Sequence, residues 1–104
     1  MRLLVIAEFD IDKGNAAISD GSFGQMMQTY LGDVKPEMAF FALHNGNRAL
    51  HMLVNVNSAA ELPAIAEPLF LRCNANLTVH PAFLPDELGA AMPAIEAAVK
   101  KYMS

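Results

Sequence analysis

Four stretches of the chain alternate side chains with period two, and the segments between and after them repeat apolar residues at three- and four-residue steps. The first alternating stretch, residues 2–9, points Leu3, Val5, Ala7 and Phe9 one way and Leu4, Ile6 and Glu8 the other. Two more, Glu37 to His44 and Arg48 to Val56, flank Asn45-Gly46-Asn47, and the Asn-Gly pair predicts a tight hairpin turn. Centred on Asn45-Gly46, that turn pairs Leu43 with Arg48 and Phe40 with His51. Opposed residues share a face, so Met38, Phe40, Ala42, His44, His51, Leu53 and Asn55 group together. The opposite face, with Ala39, Phe41, Leu43, Leu50, Met52 and Val54, is the one helices are expected to cover. The fourth stretch, Ala75 to Phe83, sets Leu77, Val79 and Phe83 against Asn76, Thr78 and His80; Pro81 has no amide to donate, which places this strand at a sheet edge or ends its pairing there.

Helical spacing fills the rest. Phe23, Met26, Met27, Tyr30, Leu31 and Val34 predict a helix from Ser22 to Leu31, capped by Asp20 or Ser22 and ended by Gly32. Asp10 to Ser22 reads as a loop or frayed helix start, and Lys35-Pro36 predicts an extended entry to the second strand. A second helix begins at Ser58, where Glu61 three residues on completes a capping-box pattern. Its stripe is Leu62, Ile65, Ala66, Leu69 and Cys73, and Pro68 is expected to kink or break it. A last helix starts near Pro85, with Asp86 and Glu87 at its positive end and Lys100 and Lys101 at its negative end. Leu88, Met92, Ile95, Val99 and Tyr102 form its stripe, and Pro93 is expected to bend it.

Strand, helix, strand, strand, helix, strand, helix is the order that results. With right-handed crossovers the first six elements make an α+β, ferredoxin-like βαββαβ antiparallel sheet in order 4-1-3-2, with both crossover helices on one face and an additional C-terminal helix. The other face is left bare. It carries Leu4, Ile6, Met38, Phe40, Ala42 and Leu53, whose large side chains are each worth about 1.5–3 kcal/mol when buried. A second copy of the chain, sheet against sheet at about 10 Å, is the simplest cover, and the polar residues of that face then bond across the interface or line a cavity.

Composition narrows the class of protein. One domain accounts for all 104 residues, and an apolar share of 54% against 17% charged exceeds the soluble average of about 45–50% and about 25%, as an interface would require. A net charge of −4 with scattered basic residues excludes an electrostatic footprint for nucleic acid or an anionic membrane. No run reaches the roughly 18 apolar residues of a membrane span, and the Arg2 to Glu8 run is too short for a secretory core. The single Cys73 forms no internal disulfide and suits a reducing cytoplasm as an inert thiol at a helix end.

At the level of architecture the chain resembles the dimeric α/β-barrel proteins, which include antibiotic-biosynthesis-type monooxygenases and muconolactone isomerases. Residues 15–21 (Asn15 to Gly21), 35–41 (Lys35 to Phe41) and 62–68 (Leu62 to Pro68), followed by Asn74-Ala75, are also similar to segments of a family of small uncharacterised bacterial proteins. That resemblance implies a dimeric ferredoxin-like fold and carries no catalytic residues.

Candidate chemistry concentrates on the bare face. His51 and His80 lie on the strands flanking the first, about 10 Å apart at the backbone, and His44 lies about 13 Å along the hairpin from the level of His51, so no shared metal site is expected. Glu8 shares the face with Thr78 and His51. Enclosed by apolar groups and within reach of an imidazole it would form an acid/base pair; otherwise it is a rim carboxylate making a cross-strand or intersubunit bond. Asp10 and Asp12 are too few for a calcium cage and read as solvated loop charge. Gly21-Ser22-Phe23-Gly24 matches neither phosphate-binding glycine pattern. Met26, Met27, Met52 and Met92 read as core filler, and Tyr30 as buried with its hydroxyl at the edge.

Three readings follow. In the first, a homodimer binds a small, partly apolar molecule at the open face, with Ile6, Phe40, His44, Leu53, Asn55 and Thr78 as lining. In the second, a cofactor-independent monooxygenase- or isomerase-like enzyme uses Glu8, His51 and His80 as proton-handling groups, by analogy of fold alone. In the third, the dimer is purely structural and nothing binds.

Overall fold

The computed structural model describes all 104 residues. Its elements run β1 (Arg2–Glu8), α1 (Ile11–Asp20), α2 (Ser22–Val34), β2 (Met38–His44), β3 (Asn47–Asn55), α3 (Leu62–Cys73), β4 (Asn76–Ala82) and α4 (Leu88–Tyr102), with short 3-10 turns at Ala59–Glu61 and Pro85–Glu87. The four strands form one antiparallel sheet in order β2-β3-β1-β4. This is the ferredoxin-like arrangement expected from the element order, with a helix added after β4.

Local chemistry explains most of the boundaries. Asn45 and Gly46 take φ of 53° and 74°, the paired positive values of a type I′ turn, whose twist matches that of the flanking strands. The turn sets the register, so Leu43 faces Arg48 and Phe40 faces His51, as the spacing predicts. Glu61 accepts from the Ser58 amide at 3.1 Å and also from the Asn57 amide, which satisfies donors that the first turn leaves free. Pro81 lies on β4, an edge strand.

Several expectations need correcting. The segment after β1 is a ten-residue helix, not a loop: the Asp10 carboxylate caps it by accepting from the Lys13 amide at 2.8 Å. Asp10 is therefore a helix cap, not idle loop charge. Gly21, at φ 81°, separates α1 from α2. Gly32 stays inside α2, which ends at Val34 with Lys35 as its cap. There the chain takes a left-handed turn at φ 52° and ψ 61°, because the ring of Pro36 disfavours the right-handed helical conformation in the residue before it. Pro68 does not break its helix, which runs on to Cys73, and Pro93 likewise lies inside a continuous helix.

The core lies on one side of the sheet. Leu3, Val5, Ala7 and Phe9 from β1 and its end meet Leu50, Met52, Val54 and Val56 from β3, under Met27 and Tyr30 of α2 and Ile65, Leu69 and Cys73 of α3. Tyr30 is wholly committed to this core: its hydroxyl is buried and donates to the Ile65 carbonyl at 2.7 Å. The helices thus cover the two central strands. They do not cover β2, whose helix-side residues Ala39, Phe41 and Leu43 are all exposed, contrary to expectation. Helix α4 contributes nothing to the core either, and none of its residues is buried. No helix is long and apolar enough to cross a membrane.

Candidate functional site: the open sheet face

Strand register arranges the bare face in cross-strand rows. The central row is Phe40, His51, Ile6 and Thr78. On one side of it lie Met38, Leu53, Leu4 and His80, and on the other Ala42, Ala49, Glu8 and Asn76. Asn55, Arg2 and Ala82 make a further row at the first end of the sheet, and His44 and Asn47 close the second end. The result is an apolar panel framed by polar residues, the layout of a protein interface with a dry centre and a wet rim.

His51 sits at the centre of this panel. Its ring stacks on Phe40, with centroids 5.0 Å apart and planes within 11°. The edge of His44 approaches to 6.3 Å at 76°. Strand spacing alone sets the two residues about 13 Å apart, yet their rings come within contact range. The Nδ1 atom of His51 is buried without a hydrogen-bond partner in the chain. A buried polar atom in that state costs about 1–3 kcal/mol.

The two ends of the panel are each tied by polar contacts. At one end Glu8 accepts from the side-chain amides of Asn45 at 3.2 Å and Asn47 at 3.4 Å. Asn47 also donates to the Phe9 carbonyl at 2.7 Å, which fastens the hairpin tip to the end of β1. At the other end Arg2 donates through Nε to both oxygens of Glu37, at 2.9 and 3.1 Å, and through Nη1 to Glu87. Glu37 accepts in turn from Asn55. The Arg2 cluster joins β1, β3, the entry to β2 and the foot of α4, and the sequence reading missed it. The available signal was that Arg2 has the parity of Leu4 and Ile6, so the first strand brings its only base onto the open face.

Among the residues singled out from sequence, Ile6, Phe40, His51 and Thr78 share one row, and Leu53 and His80 share the next. His44 joins His51 through its ring. Asn55 belongs to the Arg2 cluster at the rim. Glu8 is one pleat from the His51 row and is engaged by Asn45 and Asn47, while His80 is exposed on the edge strand two strands from His51. Within a single chain, then, the carboxylate and the two imidazoles do not converge on one point.

The main hollows of the chain lie away from Phe40, His51 and Leu53. One of about 400 Å³ lies between α2 and α3, beside Met26, Tyr30 and Pro68. A second, of about 390 Å³, lies beside β2 and is lined by Phe9, Phe23, Phe41 and Leu43. A polar third, of about 440 Å³, opens at the end of the sheet between Glu8, Asp10, Asp12 and Asn76. Enclosure of the open face therefore requires a second surface. Cys73, buried at the end of α3, has its thiol pushed upward in pKa, chiefly by burial, against the lowering influence of Lys13 and Arg72; this favours the inert thiol over a nucleophile.

No family model matches the chain, and no curated protein matches it. Among solved structures it is similar to the de novo designed protein Ferredog-Diesel, at 10% identity and a TM-score of 0.45, over 78% of this chain and 85% of that one.

Proposed function

We propose that the chain works as a homodimer whose open sheet faces enclose a small, partly apolar molecule, with His51 as its central polar contact. The observation that carries this reading is the half-buried imidazole of His51, stacked on Phe40 in the middle of an apolar panel. An apolar panel alone asks only for cover, whereas a half-buried imidazole there sets a polar ring against whatever covers it. Binding is preferred to proton transfer because Glu8 is occupied by two amides and lies apart from His80. The similarity of three sequence segments to small bacterial dimeric α/β-barrel proteins accords with the same assembly, and the lone buried Cys73 suits a reducing cytoplasm.

Native mass spectrometry of gently purified protein tests the proposal. The expected result is a dimer that retains a small-molecule adduct, and His51→Leu should keep the dimer while losing most of the adduct. A dimer with no adduct, or an adduct indifferent to His51→Leu, would overturn the binding role.

A further inference from the structure

We propose that α4 is an exchanged arm, which in the homodimer leaves its own subunit and lies along the helix-side flank of β2 in the partner. The inference rests on the homodimer proposed above and adds to it an element and a seat.

The arm is plain from its surroundings. The stripe Leu88, Met92, Ile95 and Val99 follows helical spacing, yet every one of these side chains is exposed, Val99 by 55%. The only substantial packing of α4 is against the 3-10 turn at its own foot. A compact chain of this length has a radius of gyration of about 13 Å; here it is 17.5 Å, and the molecule extends 61 × 28 × 21 Å. A helix with one apolar face that is held away from its own core is built for another surface.

The seat is a gap in the helix layer. Ala39, Phe41 and Leu43 face the side that helices cover elsewhere, but α2 reaches them only through Phe23, whose ring lies 6.1 Å from that of Phe41, and Leu43 is 72% exposed. The apolar hollow of about 390 Å³ beside Phe9 and Phe23 continues this strip. Lengths agree: the 15 residues of α4 span about 22 Å at helical rise, and the seven of β2 about 24 Å at strand rise. The chain's own α4 is badly placed to fill the gap. Its foot is tied to Arg2, which lies with Leu4 and Ile6 on the open side of the sheet and also holds Glu37, so the sheet itself separates that foot from the helix-side strip.

Area identifies a second copy as the occupant. The chain exposes 6988 Å², against about 5,700 Å² for a folded monomer of this mass, an excess of roughly 1,300 Å². A standard interface removes about 800 Å² from each partner, so two such chains have enough surplus for both a face-to-face contact and a pair of arms. A copy of this chain also supplies both halves of the fit, an arm and a gap, and a two-fold axis satisfies both at once.

Two measurements test the arm. Ile95→Glu combined with Val99→Glu should weaken dimerisation by about 100-fold or more in sedimentation equilibrium, with the far-ultraviolet spectrum unchanged, because neither side chain belongs to the core of its own chain. Unchanged dimerisation would overturn the proposal. A benzophenone side chain placed at Ile95, in a mixture of isotopically heavy and light full-length chains, should crosslink between chains to residues 39–43. Crosslinks between chains to Leu4 or Leu53 instead would overturn the seat and leave the face-to-face dimer standing. Crosslinks within one chain would overturn the exchange, and a monomer at high concentration would remove both the arm and the dimer beneath it.

Discussion

Tyr30 shows how a single residue links helix pattern, core and pH response. Its position on the α2 stripe was legible from spacing; its hydroxyl bond to Ile65 on α3 depends on which helix lies beside it. Burial, with a smaller contribution from Cys73, pushes the phenol above its ordinary range. The folded state therefore keeps its proton after the unfolded chain has lost it, at pH near 10. The associated stability is complete below that pH and declines as pH rises toward the folded value, by up to about 1.4 kcal/mol per pH unit. Tyr30→Phe should cost about 0.5–1.5 kcal/mol at neutral pH, because it removes the buried hydroxyl's bond to the Ile65 carbonyl. It should also flatten the decline above pH 10, as read from urea midpoints across an alkaline series. His51 is the opposite case. Its parity was readable, but the stacking on Phe40 and the stranded Nδ1 follow from packing across the hairpin.

At the scale of elements, signals confined to a few residues were the readable ones. The Asn45-Gly46 turn and the Ser58 to Glu61 cap each act within four residues, so neither needs the rest of the chain. Helix α1 was missed because its apolar spacing is weak, although Asp10 three residues before Lys13 is a fair N-cap signal. Asp10→Ala should cost about 1 kcal/mol in chemical denaturation and raise amide exchange in the first turn of α1. The hairpin also bears on the fate of β2. Its alternation suggests one covered face, yet the helix layer is centred over β1 and β3 and touches β2 only where Phe23 meets Phe41, leaving β2 largely exposed on both sides.

For the whole molecule, the apolar surplus in the composition anticipated incomplete self-burial, and the exposed area and extended shape fit it. If two copies complete the fold, thermal stability must depend on protein concentration, because association draws on the folded form alone. Raising the concentration from about 1 to about 100 μM should lift the unfolding midpoint by several degrees in calorimetry, whereas a midpoint independent of concentration would contradict the dimer. Met38→Glu, on the open face and outside the core cluster, should abolish the concentration dependence while leaving helix and strand content intact.

The residues alone determined the strands, the hairpin register and the strand order, because pleat parity, turn geometry and crossover rules act locally or allow few alternatives. The same parity placed Glu8 and the three histidines on one face. Tertiary structure decided the rest: Glu8 is held by Asn45 and Asn47, His44 leans on His51, and Arg2 ties the foot of α4. These contacts join residues distant in sequence through side-chain reach, which no local period records. The direction in which α4 leaves the body has the same origin, for an apolar stripe specifies that a helix must be covered, and long-range geometry specifies by what.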